Sequence, residues 1–233
     1  MTSLPASSAR AQLAALAADA TFLETWGLAR GELDAASARP AAVLVLFGVL
    51  DDLEADHDAQ SLAVAQDLDV LLLARATTLR SHAGQVAFPG GRAEDGETPV
   101  DAALREAVEE TGLDATGVEV LGTLAQLPMP VSNHLVTPVL GWWARPTPVR
   151  VVDHAESAHV FRAPVADLLD PARRVTTVVR RGGHAWRGPG FEVADGDVTH
   201  LVWGFTAGIL DAAFDRLGWT EPWDRGREHE LEP

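Results

Sequence analysis

The sequence predicts an α/β fold of the α+β layered kind, with a mixed β-sheet sandwiched between α-helices. Three observations carry this. Segments of strand composition recur along most of the chain, and they are interspersed with only a few stretches of helical periodicity, too few for a regular βαβ repeat. No internal repeat or low-complexity linker divides the sequence. At 233 residues and 47% hydrophobic composition, the chain supports one sizeable core. A single domain over residues 1–233 is expected, with a helical N-terminal extension (about 1–38) and a short polar tail (about 221–233).

The elements follow in order. Leu13, Leu16, Ala17, Ala20 and Leu23 recur at helical spacing and predict a first helix ending near Gly27. "AAVLVLFGV" and "DVLLLARA" predict buried strands, separated by the acidic segment "DDLEADHDAQ", which reads as a solvated surface turn. A helix is predicted from about Pro99 to Thr111, with Thr98 as N-cap, Asp101 in the first turn and Gly112 as the stop. "VEVLGTLAQL", "LVTPVLGWWA" and "HVFRAPV" are rich in β-branched or aromatic residues and separated by Pro, Gly and Asn, as strands are. "RRVTTVVRRGGHAWRG" predicts a hairpin turning at Gly182 and Gly183, and "THLVWGF" a further strand. Ile209, Leu210, Ala213, Phe214 and Leu217 then form the apolar stripe of a last helix. "EPWDRGREHELEP" reads as a loose polar ending. Trp142 and Trp143 are successive strand residues facing opposite ways, so packing is the expected role of at least one.

Composition excludes several chemistries. There is no cysteine, which removes disulfides, thiol nucleophiles and cysteine-based metal centres and suits a reducing cytoplasm. There is no lysine, so a P-loop lysine and a Schiff-base lysine are absent and every fixed cation is an arginine. A formal charge of −16 opposes binding to nucleic-acid backbones. The N-terminal segment lacks the cationic start and unbroken apolar centre of a signal peptide, and the longest apolar run, Ala41 to Leu50, is too short for a bilayer; no membrane partner is expected.

The segment "GGRAEDGETPVDAALREAVEETGL" crowds Glu106, Glu109 and Glu110 into the closing turns of its helix. Like charges at these spacings cost about 0.2–0.5 kcal/mol per pair, and acids near a helix C-terminus roughly 0.3–1 kcal/mol each. Such a violation often marks a site, yet the triplet alone reads equally as a solvated glutamate face, and the surrounding pattern decides between them. Helical projection places Val100, Leu104, Val108 and Thr111 on a core face, with the three glutamates opposite.

Gly91, Glu97, Arg105, Glu106, Glu109, Glu110, Gly112 and Leu113 fit G-x5-E-x7-R-E-U-x-E-E-x-G-U, where U is a bulky aliphatic residue. This resembles the signature of the Nudix hydrolases; Ala107 departs from it at the first U position, a loss of apolar bulk. The resemblance implies the Nudix fold and hydrolysis of a nucleoside diphosphate linked to another group. It implies Mg²⁺ or Mn²⁺ held by Glu106, Glu109 and Glu110 with the backbone carbonyl of Gly90, and an ion pair of Arg105 with Glu97 that fixes loop against helix. Gly91 belongs to the same supporting frame. The base that activates water is a glutamate of the helix or an acid from a later loop, for which Glu156 stands in the matching place.

Upstream, "LLLARATTLRSHAGQVAFPGG" matches L-L-T-x-R-S-x3-R-x3-G-x3-F-P-G-G, which resembles the coenzyme A diphosphatase branch of that family; Leu73 and Ala76 replace its Thr and Ser. The substrate implied is coenzyme A, cleaved to 3′,5′-ADP and 4′-phosphopantetheine. Arg75 and Arg80 are suited to charge-assisted hydrogen bonds with its phosphates, and His82 to substrate contact or loop hydrogen bonding.

Overall fold

The computed structural model describes residues 8–22, 37–49, 55–76, 84–130, 132–155, 157–196 and 198–231. Helix α1 (Ala9–Ala17) is followed by strands β1 (Arg39–Val49), β2 (Leu68–Arg75), β3 (Val86–Ala87) and β4 (Gly90–Arg92), then helix α2 (Pro99–Thr111). Strands β5 (Val118–Thr123), β6 (Leu127–Met129), β7 (His134–Trp143) and β8 (Ser157–Pro164) lead to the short helix α3 (Val165–Leu169). Strands β9 (Arg174–Arg181), β10 (His184–Asp195) and β11 (Val198–Val202), helix α4 (Gly204–Leu217) and strand β12 (Glu228–Leu231) complete the order. Among these residues no helix is long and apolar enough to cross a membrane.

The strands form two sheets. The larger is mixed, with β3-β2-β1-β7-β5 as its path, β4 on β1, β6 on β7 and β8 on β2; the smaller runs β11-β10-β9-β12. β1 runs parallel to β7 and is buried on both faces, as its continuous apolar run predicts. Side-chain alternation divides it between two layers. Ala42, Leu44 and Leu46 join Ala102, Ala103 and Ala107 of α2, with Leu71, Val139 and Trp143. Val45 and Phe47 face the other way, with Val70 and Leu72, into a larger core that includes Leu13 and Leu16 of α1, Phe191 and Val193 of β10, and Ile209, Leu210 and Phe214 of α4. The mixed sheet therefore lies between α2 on one face and α1, α4 and the smaller sheet on the other. Trp143 is buried in the first layer, while Trp142 packs on the second.

The pairing of β1 with β2 is confined to Phe47–Val49 against Leu68–Val70. Beyond this the two strands part, and residues 86–92 fill the fork: β3 pairs with β2 at Leu73 and Ala74, and β4 pairs with β1 at Ala41–Val43. The fork sets Gly90 and Gly91 beside Val43 and Ala42 of β1.

Several expectations are corrected. α1 ends at Ala17 rather than near Gly27, because the Asp19 carboxylate accepts from the backbone and hydroxyl of Thr21 and turns the chain; Leu23 and Gly27 lie outside the described residues. "VEVLGTLAQL" is a strand only as far as Thr123, and its last residue, Leu127, opens the separate strand β6. The described part of the acidic segment is not a free turn: Asp167 accepts from the His57 backbone at 3.0 Å, and Glu221 from the Gln60 backbone at 2.9 Å. Both carboxylates are buried. The polar ending is likewise docked, through Glu221 and through β12, which runs parallel to β9. Backbone pairing needs no apolar sequence signal, which is why composition alone reads this segment as loose.

The core face of α2 also differs from the helical projection. Ala102, Ala103, Ala107 and Thr111 are the buried residues, Val100 and Leu104 pack at the margin, and Val108 is 41% exposed. The small side chains let the helix lie close to the sheet, so Ala107 is a fitted contact and not a packing fault. Replacement of Ala107 by Leu is therefore expected to overpack this layer and lower the free energy of unfolding by about 1–3 kcal/mol, measured by urea denaturation.

Candidate active site

The site is built where the closing half of α2 meets the fork. Thr98 caps the helix in a reciprocal box with Asp101, Pro99 opens it, and Gly112 ends it at φ 67°, a left-handed conformation that glycine adopts without a Cβ clash. The buried face being the alanine face, Glu106 and Glu110 lie at its edge and not opposite it. They are one turn apart and directed toward β4. Glu109 points furthest into solvent, with its side chain 58% exposed.

Two glycines make this approach possible. A Cβ on Gly90 would stand 2.4 Å from the Ala42 carbonyl oxygen and 2.6 Å from the Val43 Cα, so no other residue fits there without moving β1. A Cβ on Gly91 would stand 2.4 Å from the Glu106 carboxylate, which occupies that space. The Gly90 amide donates to Glu110 Oε2 at 2.9 Å, an anchor for the last acid that no motif spacing announces.

Arg105 organises the rest. Its Nε and one terminal nitrogen donate to the two oxygens of Glu97 at 2.8 and 3.0 Å, the fork geometry that suits a carboxylate. The same terminal nitrogen reaches the Arg92 carbonyl at 2.9 Å, and the other donates to Glu106 at 3.1 Å and Glu109 at 3.2 Å. One guanidinium thus ties the loop before α2, the end of β4 and two of the three helix acids. The expected Arg105–Glu97 pair is present. Glu97 also accepts from the Glu94 amide at 2.7 Å. Hydrogen bonding by Arg105, reinforced by that amide, holds the Glu97 carboxyl at about 2, and the Arg105 guanidinium is held charged more firmly, first through Glu97.

Glu106 and Glu110 at the helix edge, with Glu109 beside them, offer the hard oxygen donors that suit a divalent cation such as Mg²⁺ or Mn²⁺; their ligand atoms do not all lie within 4.8 Å of one another, so a bound cation would have to draw them together. Without a cation their mutual repulsion is relieved by Arg105 and the Gly90 amide.

Of the other predicted residues, Arg75 closes β2, at the end of the fork where β3 begins. Its amide donates to the Gln85 carbonyl and its carbonyl accepts from Gly84. Its side-chain Nε is buried and has no hydrogen-bond partner among the described residues. Arg80, His82 and Glu156 lie outside the described residues. Thr206, at the start of α4, donates to the Val86 carbonyl at 3.1 Å and braces β3 from behind. Sequence reasoning missed this contact, whose partners are 120 residues apart.

The NUDIX domain family matches residues 56–180, more than half the chain. The chain is 40% identical over 142 residues to the uncharacterized Nudix hydrolase NudL of Escherichia coli O6:H1 (strain CFT073), covering 60% of this chain and 71% of that protein. It is 39% identical over 148 residues to NudL of Cronobacter sakazakii, with the same coverage. Among solved structures it resembles a Nudix hydrolase from M. smegmatis, RenU, at 26% identity and a TM-score of 0.43, over 57% of this chain and 74% of that one. The chain belongs to the Nudix family of hydrolases, enzymes that act on diphosphate substrates. β10 to β12 and α4 lie beyond the matched span.

Two measurements probe this arrangement. Because Glu97 titrates at about 2 in the folded chain against 4.5 as its ordinary value, its ionised form favours the folded state. That stability is fully present above about pH 5 and is lost as pH falls from 4.5 toward 2. The stability difference between the wild type and Glu97→Gln is therefore expected to be constant from neutral pH to about pH 5 and to shrink below it, in denaturant titrations at stepped pH. Gly91→Ala is expected to push the Glu106 carboxylate aside and lower turnover by about 10²-fold, the scale of a misplacement near 1 Å, with an unfolding midpoint close to wild type.

Proposed function

We propose that this protein hydrolyses the pyrophosphate bond of coenzyme A or its derivatives, giving 3′,5′-ADP and 4′-phosphopantetheine or its acylated form. The observation that supports this reading is Arg75. It stands where the extended motif of the coenzyme A diphosphatase branch has its first arginine, and it presents a buried guanidinium nitrogen with no partner among the described residues. A buried donor of this kind is costly unless a ligand satisfies it, and coenzyme A offers a 3′-phosphate besides its pyrophosphate. Arg80 and His82, from the same motif, are assigned to the same ligand.

Glu106, Glu109 and Glu110, with the Gly90 carbonyl, would hold Mg²⁺ or Mn²⁺. When bound, the cation supplies charge neutralisation on the phosphoryl oxygens and lowers the pKa of water at the site. The chain's own residues do the remaining work. Arg105 and Glu97 keep the helix acids in place, Gly90 and Gly91 leave room for them, and Arg75 orients the phosphate. Proton removal from the attacking water falls to a helix glutamate or to Glu156. The whole chain is read as one catalytic unit, since α4 braces β3 from beyond the family's matched span. A chain without cysteine suits work in the cytoplasm.

The test is a panel of coenzyme A, ADP-ribose and NADH, each with Mg²⁺ or Mn²⁺ and with or without EDTA, products being read by mass spectrometry. Coenzyme A is expected to show the highest kcat/KM, and EDTA to abolish cleavage. Glu109→Gln and Glu110→Gln are each expected to lower kcat by about 10²-fold or more. Efficient splitting of ADP-ribose or NADH with coenzyme A left intact would overturn the substrate. Equally low turnover in the wild type and both variants would point instead to a nucleotide-binding regulator.

A further inference from the structure

Away from the glutamate helix, three side chains of metal-ligand chemistry meet where the two sheets touch. His159 stands on β8, the strand of the larger sheet that pairs with β2. Asp195 ends β10 and His200 lies on β11, both in the smaller sheet. The His159 Nε2 atom is 2.9 Å from Asp195 Oδ2, and His200 Nε2 is 3.9 Å from the same oxygen. One ligand atom from each of the three lies within 4.8 Å of the others, and no other such group of His, Asp and Glu occurs among the described residues.

The protein's own contacts leave this cluster unfinished. Asp195 Oδ2 and His200 Nε2 are buried atoms, and among the described residues neither has a hydrogen-bond partner; the close approach of His159 lacks hydrogen-bond geometry. Buried polar atoms of this kind are expected to be satisfied. Two imidazole nitrogens and a carboxylate oxygen gathered within 4.8 Å of one another lack a shared centre that accepts lone pairs from all three. A proton can serve only two of them at a time.

We propose that His159, Asp195 and His200 form a second divalent-cation site, selective for a borderline transition ion such as Zn²⁺, which fastens the β8 edge of the larger sheet to the β10–β11 hairpin of the smaller one. The donor set argues for the ion: imidazole nitrogens favour zinc and its neighbours, whereas Mg²⁺ takes oxygen ligands, as in the glutamate set. Three protein ligands leave a fourth position for water. Ligands of one tetrahedral zinc ion, at about 2.0–2.1 Å from it, lie roughly 3.3 Å apart. The observed separations bracket that spacing, so small side-chain shifts close the site. The His200 ring is held in place by stacking on Phe161 at 4.7 Å with an 11° tilt. The His159 side chain is 47% exposed and gives the ion an entry from solvent.

The effect of occupancy follows from topology. β8 and the β10–β11 hairpin are far apart in sequence and meet by side-chain packing, with no ladder between them. A shared ion would cross-link the sheets, and its binding free energy would add to folding. No residue of α2 or of the Gly90–Gly91 bend takes part, but His159 pairs in register with Ala74, next to Arg75, so the site is tested by metal binding and stability and not by turnover.

The test uses the full chain, freed of metal with EDTA, exchanged into EDTA-free buffer, then titrated with Zn²⁺ by calorimetry in excess Mg²⁺ and with Co²⁺ by visible absorption. Expected for the wild type are one Zn²⁺ per chain that Mg²⁺ does not displace, a Co²⁺ absorption band of a nitrogen-containing low-coordinate site, and a higher melting temperature with Zn²⁺. His159→Gln, at an exposed position and compatible with folding, is expected to weaken Zn²⁺ about 100-fold or more and to remove both the band and the thermal shift, as is His200→Gln. The double variant Glu109→Gln, Glu110→Gln is expected to retain all three signals. Zn²⁺ binding that is absent from the wild type, unchanged in His159→Gln, or lost in the glutamate variant would overturn the proposal.

Discussion

One guanidinium holds the site together. Arg105 is a single fixed charge serving Glu97, Glu106 and Glu109 and one backbone carbonyl. Crowding acids at the negative end of a helix is unfavourable on its own. Here the crowding is tolerable because a cation from the same helix is bound among the acids, anchored from outside by Glu97. The loop before α2, the β4 bend and the acid edge are then parts of one hydrogen-bonded unit, and moving any of them disturbs the others.

That unit needs a surface to rest on, and the surface is made of absences. β1 and β2 part after a short pairing, and the chain between Val86 and Arg92 fills the gap so closely that Gly90 has no room for a side chain. The Gly90 position is closed by β1 and the Gly91 position by the Glu106 carboxylate of α2, which presents its alanines to Leu44, Leu46 and Trp143. Small residues on both partners bring the helix near enough for Glu110 to meet the Gly90 amide. Packing, which is dense and intolerant of added volume, thus sets the distance at which the carboxylates work.

The smaller sheet and α4 support the same arrangement from behind. Thr206 reaches β3, and Arg174, fully buried between the rings of Phe191 and Trp223, pairs with Asp211 to tie β9 to α4. Asp167 and Glu221 pin the segment that follows β1. These buried carboxylates satisfy backbone amides in an irregular segment that has no ladder of its own. The His159, Asp195 and His200 meeting belongs to this second half of the molecule, at the seam where strand pairing gives way to side-chain packing.

The sequence by itself determined the family, the bounds of α2 and the main strands. Thr98, Pro99, Asp101 and Gly112 mark both ends of α2 because caps act within a turn of the residues that make them, and the spacing from Gly91 to Leu113 was legible for the same reason. The continuous apolar run of β1 announced a strand buried on both faces. Only the tertiary structure decided which face of α2 is inward, because alanines carry little hydrophobic signal and win by fit against the sheet. Only it could dock the polar ending, through backbone pairing, and pin the acidic segment with carboxylates more than a hundred residues away. It also brought together His159, Asp195 and His200, which share no motif. Contacts between residues distant in the chain depend on how sheets stack, and no local pattern of residues encodes that.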